Sequence, residues 1–229
     1  MRLFRDRDDA GRQLARLLEQ RGYEDAVVLG IPRGGVVPAL HVAKALDAEL
    51  GVVVARKLRA PYQPELAIGA ITSDGVAWVN QELADETGAG AAYLEREKAG
   101  QAAEAARREA AFDAGRRPPV AGRPVIVVDD GVATGATMIA AVGSLKSAGA
   151  SPVIVAVPVG PPHTLKELRA IADEVVAIEE VEDFYAIGQF YVDFAQVPDQ
   201  AVQRILDQYR ERRGPTEARA PTEAVSPGG

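Results

Sequence analysis

The sequence predicts an α/β fold, doubly wound around a mostly parallel sheet, and three observations carry that prediction. Five short apolar runs, at residues 26–31, 50–55, 124–128, 152–159 and 174–178, are too short for helices and suit strands buried on both faces. Helical segments alternate with them, which is the pattern of parallel βαβ units. At 229 residues, 47% of them hydrophobic, the chain is sized for one domain with a large core.

The elements follow in order. Residues 6–22 read as an amphipathic helix, with Leu14, Leu17 and Leu18 on one face, Asp8 and Asp9 near its start and Gly22 at its end. The first strand, AVVLGI, runs into a Pro32-Arg33-Gly34-Gly35 turn and a helix ending near Leu46. LGVVVA at 50–55 is the second strand. Residues 67–72 and 76–79 are β-prone and flank Ser73-Asp74-Gly75, which predicts a hairpin. Residues 81–114 are rich in Ala, Glu, Arg and Lys and should be helical, broken around Gly88 and Gly90. A Pro- and Gly-rich loop at 115–124 precedes the third strand, and a helix then reaches about Ala148. The fourth strand, a short helix after His163, the fifth strand, an aromatic-rich segment at 184–194 and a helix from Asp199 to Arg212 complete residues 1–213. Residues 214–229 lack apolar periodicity and predict a disordered tail.

Composition excludes several chemistries. With no cysteine there is no disulfide, thiolate metal site or cysteine nucleophile, and two histidines, His41 and His163, do not suffice for a multi-histidine zinc site. A formal charge of −7 offers no general field for nucleic acid, so any anion must be held by local basic residues and backbone N–H groups. Neither a signal peptide nor an apolar run near 20 residues is present, so no membrane association and a cytoplasmic location are expected.

One segment carries most of the functional information. Residues 125–138 read VIVVDDGVATGATM: a buried strand, two acids, then a small-residue turn opening a helix. Small residues at Gly131, Ala133, Gly135 and Ala136 let the backbone approach a ligand closely. The free N–H groups of the new helix and the hydroxyls of Thr134 and Thr137 form a cradle for a phosphate. Asp129 and Asp130 would repel that phosphate, but they suit hydrogen bonds from sugar hydroxyls or a divalent metal. A phosphorylated sugar meets both demands. Neither GxxxxGK(S/T) nor a post-strand GxGxxG is present, which argues against nucleotide triphosphatase and dinucleotide chemistry.

VIVVDDGVATGATM resembles the 5-phosphoribosyl 1-pyrophosphate (PRPP) signature of the type I phosphoribosyltransferases. It departs from that signature at residues 131–133, where the family usually carries larger residues or threonine. The resemblance covers roughly residues 25–160 and implies that Asp129 and Asp130 hold the ribose hydroxyls and that Ala133, Thr134, Gly135, Ala136 and Thr137 hold the 5-phosphate. Residues 30–35 (GIPRGG) resemble the family's pyrophosphate loop, where Arg33 adds charge and Gly34 and Gly35 permit unusual dihedrals; by itself the segment could equally be a strand-to-helix turn with a surface arginine. Lys57, taken as the end of the second strand, matches the basic residue that the family directs at pyrophosphate, with Arg59 beside it.

The family also implies a small hood over a core at about 25–160, here drawn from residues 1–24 and 180–212. It implies Mg²⁺ carried by PRPP rather than bound directly, reaching Asp129 and Asp130 only through water, and a homodimer. Catalysis falls to Asp129, Asp130 and Lys57, since the leaving group is a stabilised anion and the protein's tasks are positioning, charge stabilisation and water exclusion. Residues 58–75 and 107–122 are candidate closing loops, and Arg107, Arg108, Arg116 and Arg117 could reach the site from the second, although an exposed basic helix end is the favoured reading. Phe184, Tyr185, Phe190, Tyr191 and Phe194 are expected mainly to pack the hood, with one lining an acceptor pocket. His163 faces the cleft as a weak acid/base candidate and His41 is structural. The expected activity is transfer of ribose 5-phosphate to a small-molecule nitrogenous base, purine or pyrimidine, in nucleotide metabolism. The alternatives are a PRPP-binding regulator and a PRPP hydrolase.

Overall fold

A computed structural model describes residues 3–113 and 116–214. Five strands form a parallel sheet: β1 (Val27–Gly30), β2 (Glu49–Val52), β6 (Val125–Val128), β7 (Val153–Gly160) and β8 (Glu174–Glu180), in the order β2-β1-β6-β7-β8. The three remaining strands, β3 (Ala55–Ala60), β4 (Gln63–Thr72) and β5 (Ala77–Val79), make a separate antiparallel sheet. The helices are α1 (Arg7–Glu19), α2 (Val36–Ala45), α3 (Gln81–Glu86), α4 (Ala91–Asp113), α5 (Ala136–Ser147), α6 (Pro162–Ile171) and α7 (Asp199–Arg213).

The apolar runs at β1, β6 and β7 are hydrophobic throughout because both sheet faces are covered. Side chains alternate between faces along a strand. Val28, Ile126 and Ile154 therefore join one core layer with Leu14 and Leu18 of α1, Val42 of α2, and Val202 and Leu206 of α7. Val27, Leu29, Val125, Val127 and Val155 join the other, with Met138 and Leu145 of α5 and Leu165 and Leu168 of α6.

This layering puts a topological switch point between β1 and β6. The strands pair in register, Gly30 beside Val128, but β1 leads to α2 on one face while β6 leads to α5 on the other. The two connecting loops diverge from adjacent strand ends and open a crevice, the usual ligand position in such sheets.

Three expectations require correction. The expected hood takes in residues 1–24 and 180–212, yet α1 and α7 lie against the main sheet and complete its core, because their apolar stripes need that surface. What gathers over the strand ends is a smaller aromatic cluster of Phe4, Phe184, Phe190, Tyr191 and Phe194, tied by a parallel bridge between Phe4 and Tyr191. The second strand ends at Val52 rather than Ala55, and β3 begins a new sheet after Val53 and Val54. Residues 107–113 are the last turns of α4 and not part of a loop. The expected tail after Gly214 lies outside the described residues. No helix among the described residues is long and apolar enough to cross a membrane.

Candidate functional site

The loops after β1 and β6 touch closely, and glycine makes this possible. A Cβ on Gly34 would stand 1.9 Å from Asp130 Oδ2, and one on Gly35 would stand 2.6 Å from the Val128 carbonyl oxygen and 2.7 Å from Asp129 Cα. The Pro32–Arg33 peptide in this loop is cis. At Gly34 and Gly35 the loop is thus packed against the acidic pair with no space for a side chain.

The pair itself is set by burial and by one distant cation. Asp130 is 7% exposed and accepts a hydrogen bond from Arg7 Nε at 2.6 Å. Arg7 also donates to the Ala195 carbonyl at 2.7 Å and lies 3.7 Å above the Phe194 ring centroid. Tyr191 donates its hydroxyl to the Asp130 carbonyl at 2.6 Å, and the Asp130 N–H donates to Asp129 Oδ1 at 2.8 Å. Burial, followed by the negative charge of Asp130, pushes the Asp129 carboxyl well above the usual carboxylate range. Burial also raises Asp130, against the opposing pull of Arg7.

The small-residue turn is equally constrained. Gly135 adopts φ 74°, where other residues are strained, and stands at the start of α5 without a side chain to cap it. The N–H groups of that first turn therefore lie open to an anion. Thr164 of α6 is fully buried and donates its hydroxyl to the Ala133 carbonyl at 2.6 Å, while a Cβ on Gly135 would meet Thr164 Cγ2 at 2.8 Å. Thr134 is exposed and Thr137 half-buried.

Lys57 and Arg59 arrive by a route different from the expected one. Both sit within β3, where Lys57 pairs with Ala70 of β4. Ala70 packs against Ala136 and Ala140 of α5, so small residues let the antiparallel sheet dock beside the start of that helix. Lys57 and Arg59 are exposed, and Leu58 and Ala60 buried, the alternation of a strand with one covered face. Long cationic side chains conceal this period-2 pattern in ARKLRA.

A cleft of about 300 Å³ joins these pieces. Pro32, Lys57, Arg59 and Thr137 line it, together with Arg56, Arg108 and the single carboxylate Glu65. Four cations against one acid make a strongly anion-attracting wall in an acidic protein. Asp129 and Asp130 do not line this cleft; they adjoin it through the packed 32–35 loop. Arg33 is partly exposed and reaches Asp199 at 3.6 Å.

The reading of 107–117 as an exposed basic end fits Arg107 and Arg116, whereas the side chains of Arg108 and Arg117 are each only 25% exposed. Arg107, Arg116 and Arg117 pair with Glu104, Asp207 and Glu109, whereas Arg108 faces the cleft. His163 is exposed in the first turn of α6, and His41 pairs with Asp8 at 2.8 Å between α2 and α1. The hood aromatics pack mainly with one another, and Tyr185 is 89% exposed. Arg7, Thr164 and Asp199 escape a sequence-based reading of the site, since no local motif marks them, and Arg108 is named there only as one of four arginines of a candidate closing loop.

Among the described residues no group of three or more His, Asp or Glu side chains could hold a metal. Asp129 and Asp130 offer carboxylate oxygens beside a phosphate-type cradle, so a cation would complete its shell from ligand oxygens and water.

Comparison with known proteins identifies the family. The phosphoribosyl transferase domain family matches residues 7–195. A protein of Mycobacterium tuberculosis, provisionally named a phosphoribosyl transferase and found in strains CDC 1551 and H37Rv, is 46% identical over 228 residues, 99% of this chain. The chain spans about half, 51%, of the length of those curated relatives. The crystal structure of the protein TT1426 from Thermus thermophilus is 44% identical, with a TM-score of 0.77 over 91% of this chain and 99% of the other. This chain belongs to the phosphoribosyl transferase family.

Proposed function

We propose that the chain binds PRPP with magnesium and transfers ribose 5-phosphate to a nitrogenous base, purine or pyrimidine, releasing pyrophosphate as a step in cytoplasmic nucleotide metabolism. The observation that carries this reading is the meeting of three chemically distinct surfaces at one switch point. These are an open helix N-terminus at 135–137, an acidic pair at 129–130 of which Asp130 is buried and Asp129 half-buried, and a cationic wall containing Lys57 and Arg59. A phosphorylated sugar bearing a pyrophosphate needs all three.

In this reading the backbone N–H groups of residues 133–137, with the hydroxyls of Thr134 and Thr137, hold the 5-phosphate. Asp129 and Asp130 accept hydrogen bonds from the ribose 2- and 3-hydroxyls and favour the positive charge that develops on the ring. Arg33, Lys57 and Arg59 receive the pyrophosphate, and Gly34 and Gly35 bring the loop's backbone against it. Lys57 adds charge stabilisation at the leaving oxygen. Magnesium, when bound with PRPP, supplies further neutralisation of the leaving group. The β3–β4 hairpin, whose tip residue Tyr62 is fully exposed, covers the site and excludes water. A homodimer completes the proposal.

Titration calorimetry of PRPP with Mg²⁺ into the wild type and into Asp129→Asn/Asp130→Asn tests the reading. Loss of two charge-assisted hydrogen bonds, roughly 1.5–3 kcal/mol each, should weaken binding at least ~100-fold. Pyrophosphate release with a panel of bases then identifies the acceptor. A well-folded wild type that binds no PRPP would overturn the proposal.

A further inference from the structure

The cations of the cleft are not equally free. Among the described residues, Lys57 and Arg59 have no carboxylate at ion-pair distance, but Arg108 and Arg33 share one. Asp199, the first residue of α7, lies 3.3 Å from Arg108 Nη2 through Oδ1 and 3.4 Å through Oδ2, and 3.6 Å from Arg33 Nη1. One acid from the far end of the chain thus spans an arginine of the 32–35 loop and an arginine of α4.

This juxtaposition is built into the packing of α4 and α7. Gln203 Nε2 donates to the Ala111 carbonyl at 3.0 Å, and Arg210 pairs with the buried Asp113. Both contacts fix the two helices side by side and hold the N-terminus of α7 opposite Arg108. The side chain of Arg108 is 25% exposed and its guanidinium lies 5.9 Å from the Phe112 ring, itself a wall of the cleft. Asp199 is 51% exposed. The arginine is therefore confined to the cleft while its partner can turn into solvent.

We propose that Arg108 is a further pyrophosphate-binding residue and that Asp199 is its resident counter-anion, displaced when pyrophosphate enters. The inference rests on the PRPP-binding reading above and names an additional group of that same site. Arg108 meets both Asp199 oxygens through Nη2 alone, and a guanidinium carries further N–H donors that suit phosphate oxygens. A half-solvated ion pair costs little to break, and pyrophosphate carries more charge than one carboxylate and meets Lys57 and Arg59 in the same cleft. Asp199 keeps Arg108 and Arg33 aligned in the absence of ligand and competes for them in its presence. Product pyrophosphate is consequently released more readily than it would be from an unopposed cationic wall.

The test is calorimetric titration of inorganic pyrophosphate with Mg²⁺ into the full chain. The proteins compared are the wild type, Arg108→Ala, Arg108→Gln, Asp199→Asn and the Arg108→Ala/Asp199→Asn double variant, with thermal melts to check folding. Asp199→Asn should bind roughly three- to fivefold more tightly, the scale of an exposed ion pair. Arg108→Ala and Arg108→Gln should each bind about tenfold more weakly, the loss of a charge-assisted hydrogen bond. In the double variant most of the gain from Asp199→Asn should vanish, leaving only the part that acts through Arg33. Unchanged or weaker binding by Asp199→Asn overturns the role of Asp199. Wild-type affinity in both folded Arg108 variants overturns the role of Arg108. A wild type that binds neither pyrophosphate nor PRPP refutes the underlying reading instead, whereas binding that ignores residues 108 and 199 refutes this inference alone.

Discussion

The acidic pair and the cationic cleft beside it are made differently. On the acidic side, Asp130 is buried, clamped by Arg7 and Tyr191, and backed by Gly34 with no space for a side chain. On the basic side, Lys57 and Arg59 project from one face of an antiparallel hairpin, exposed and without ion-pair partners among the described residues. The acidic side is preorganised at Asp130, which has lost its water and its freedom before any ligand arrives. On the basic side Lys57 and Arg59 keep their solvent. In the proposed reaction, a fixed acidic side and an exposed cationic one would suit a substrate whose one end stays bound while the other leaves.

That contrast can be broken most severely from the rigid side. Gly34→Ala places a methyl group 1.9 Å from the present position of Asp130 Oδ2, so either the loop or the acid must move. We expect at least ~10-fold weaker PRPP binding together with a loss of about 1–3 kcal/mol of stability, the usual cost of overpacking. Denaturant unfolding and calorimetry on the same sample measure both. An alanine variant with wild-type affinity and stability would show that the two loops are not locked together.

The basic side should respond in binding alone. Lys57→Ala removes an exposed group that bears no packing load, so affinity for PRPP should fall roughly 10-fold while Tm stays within about 1 °C of wild type. The loss should shrink at high salt, because the missing interaction is a partly screened charge contact. A large drop in Tm would mean that Lys57 supports the fold and would weaken the contrast.

The smallest expected effect has the opposite sign. Burial and the neighbouring Asp130 charge raise the Asp129 carboxyl, so above the ordinary carboxylate pKa the folded state holds more proton than the unfolded chain. Stability therefore falls as pH rises from that ordinary value through the raised folded-state value. Asp129→Asn removes the conflict and should raise Tm at neutral pH by roughly 2–4 °C, the shift produced by about 1 kcal/mol in a chain of this size. The gain should disappear in acid, below both values, where wild-type Asp129 is neutral too. Melting curves at several pH values test this, and a gain that persists undiminished in acid would show that the stabilisation is not electrostatic.

Much of the fold can be read along the chain. The parallel strands appear as uninterrupted apolar runs because both faces are covered, and the hairpin at 63–79 appears through its Ser73-Asp74-Gly75 turn. The acidic pair and the Gly135 turn are legible because they share one strand–loop–helix unit, β6 to α5, and the 32–35 loop because it joins β1 to α2 in another. The strand β3 is hidden because lysine and arginine occupy its open face, where polar alternation looks like a basic loop.

What the sequence determines alone, then, is the set of local devices: buried strands, two glycine-bearing loops and an open helix start. Tertiary structure decides which distant charges complete them. Arg7 and Asp130 are 123 residues apart, and Arg108 and Asp199 are 91 apart. No period or spacing links such residues; only the packing of α1 across the sheet and of α7 against α4 brings them together. The physical reason is one of range. Backbone conformation and hydrogen bonding act between near neighbours in the chain, whereas burial and Coulomb interactions act between neighbours in space, which exist only once the layers have assembled.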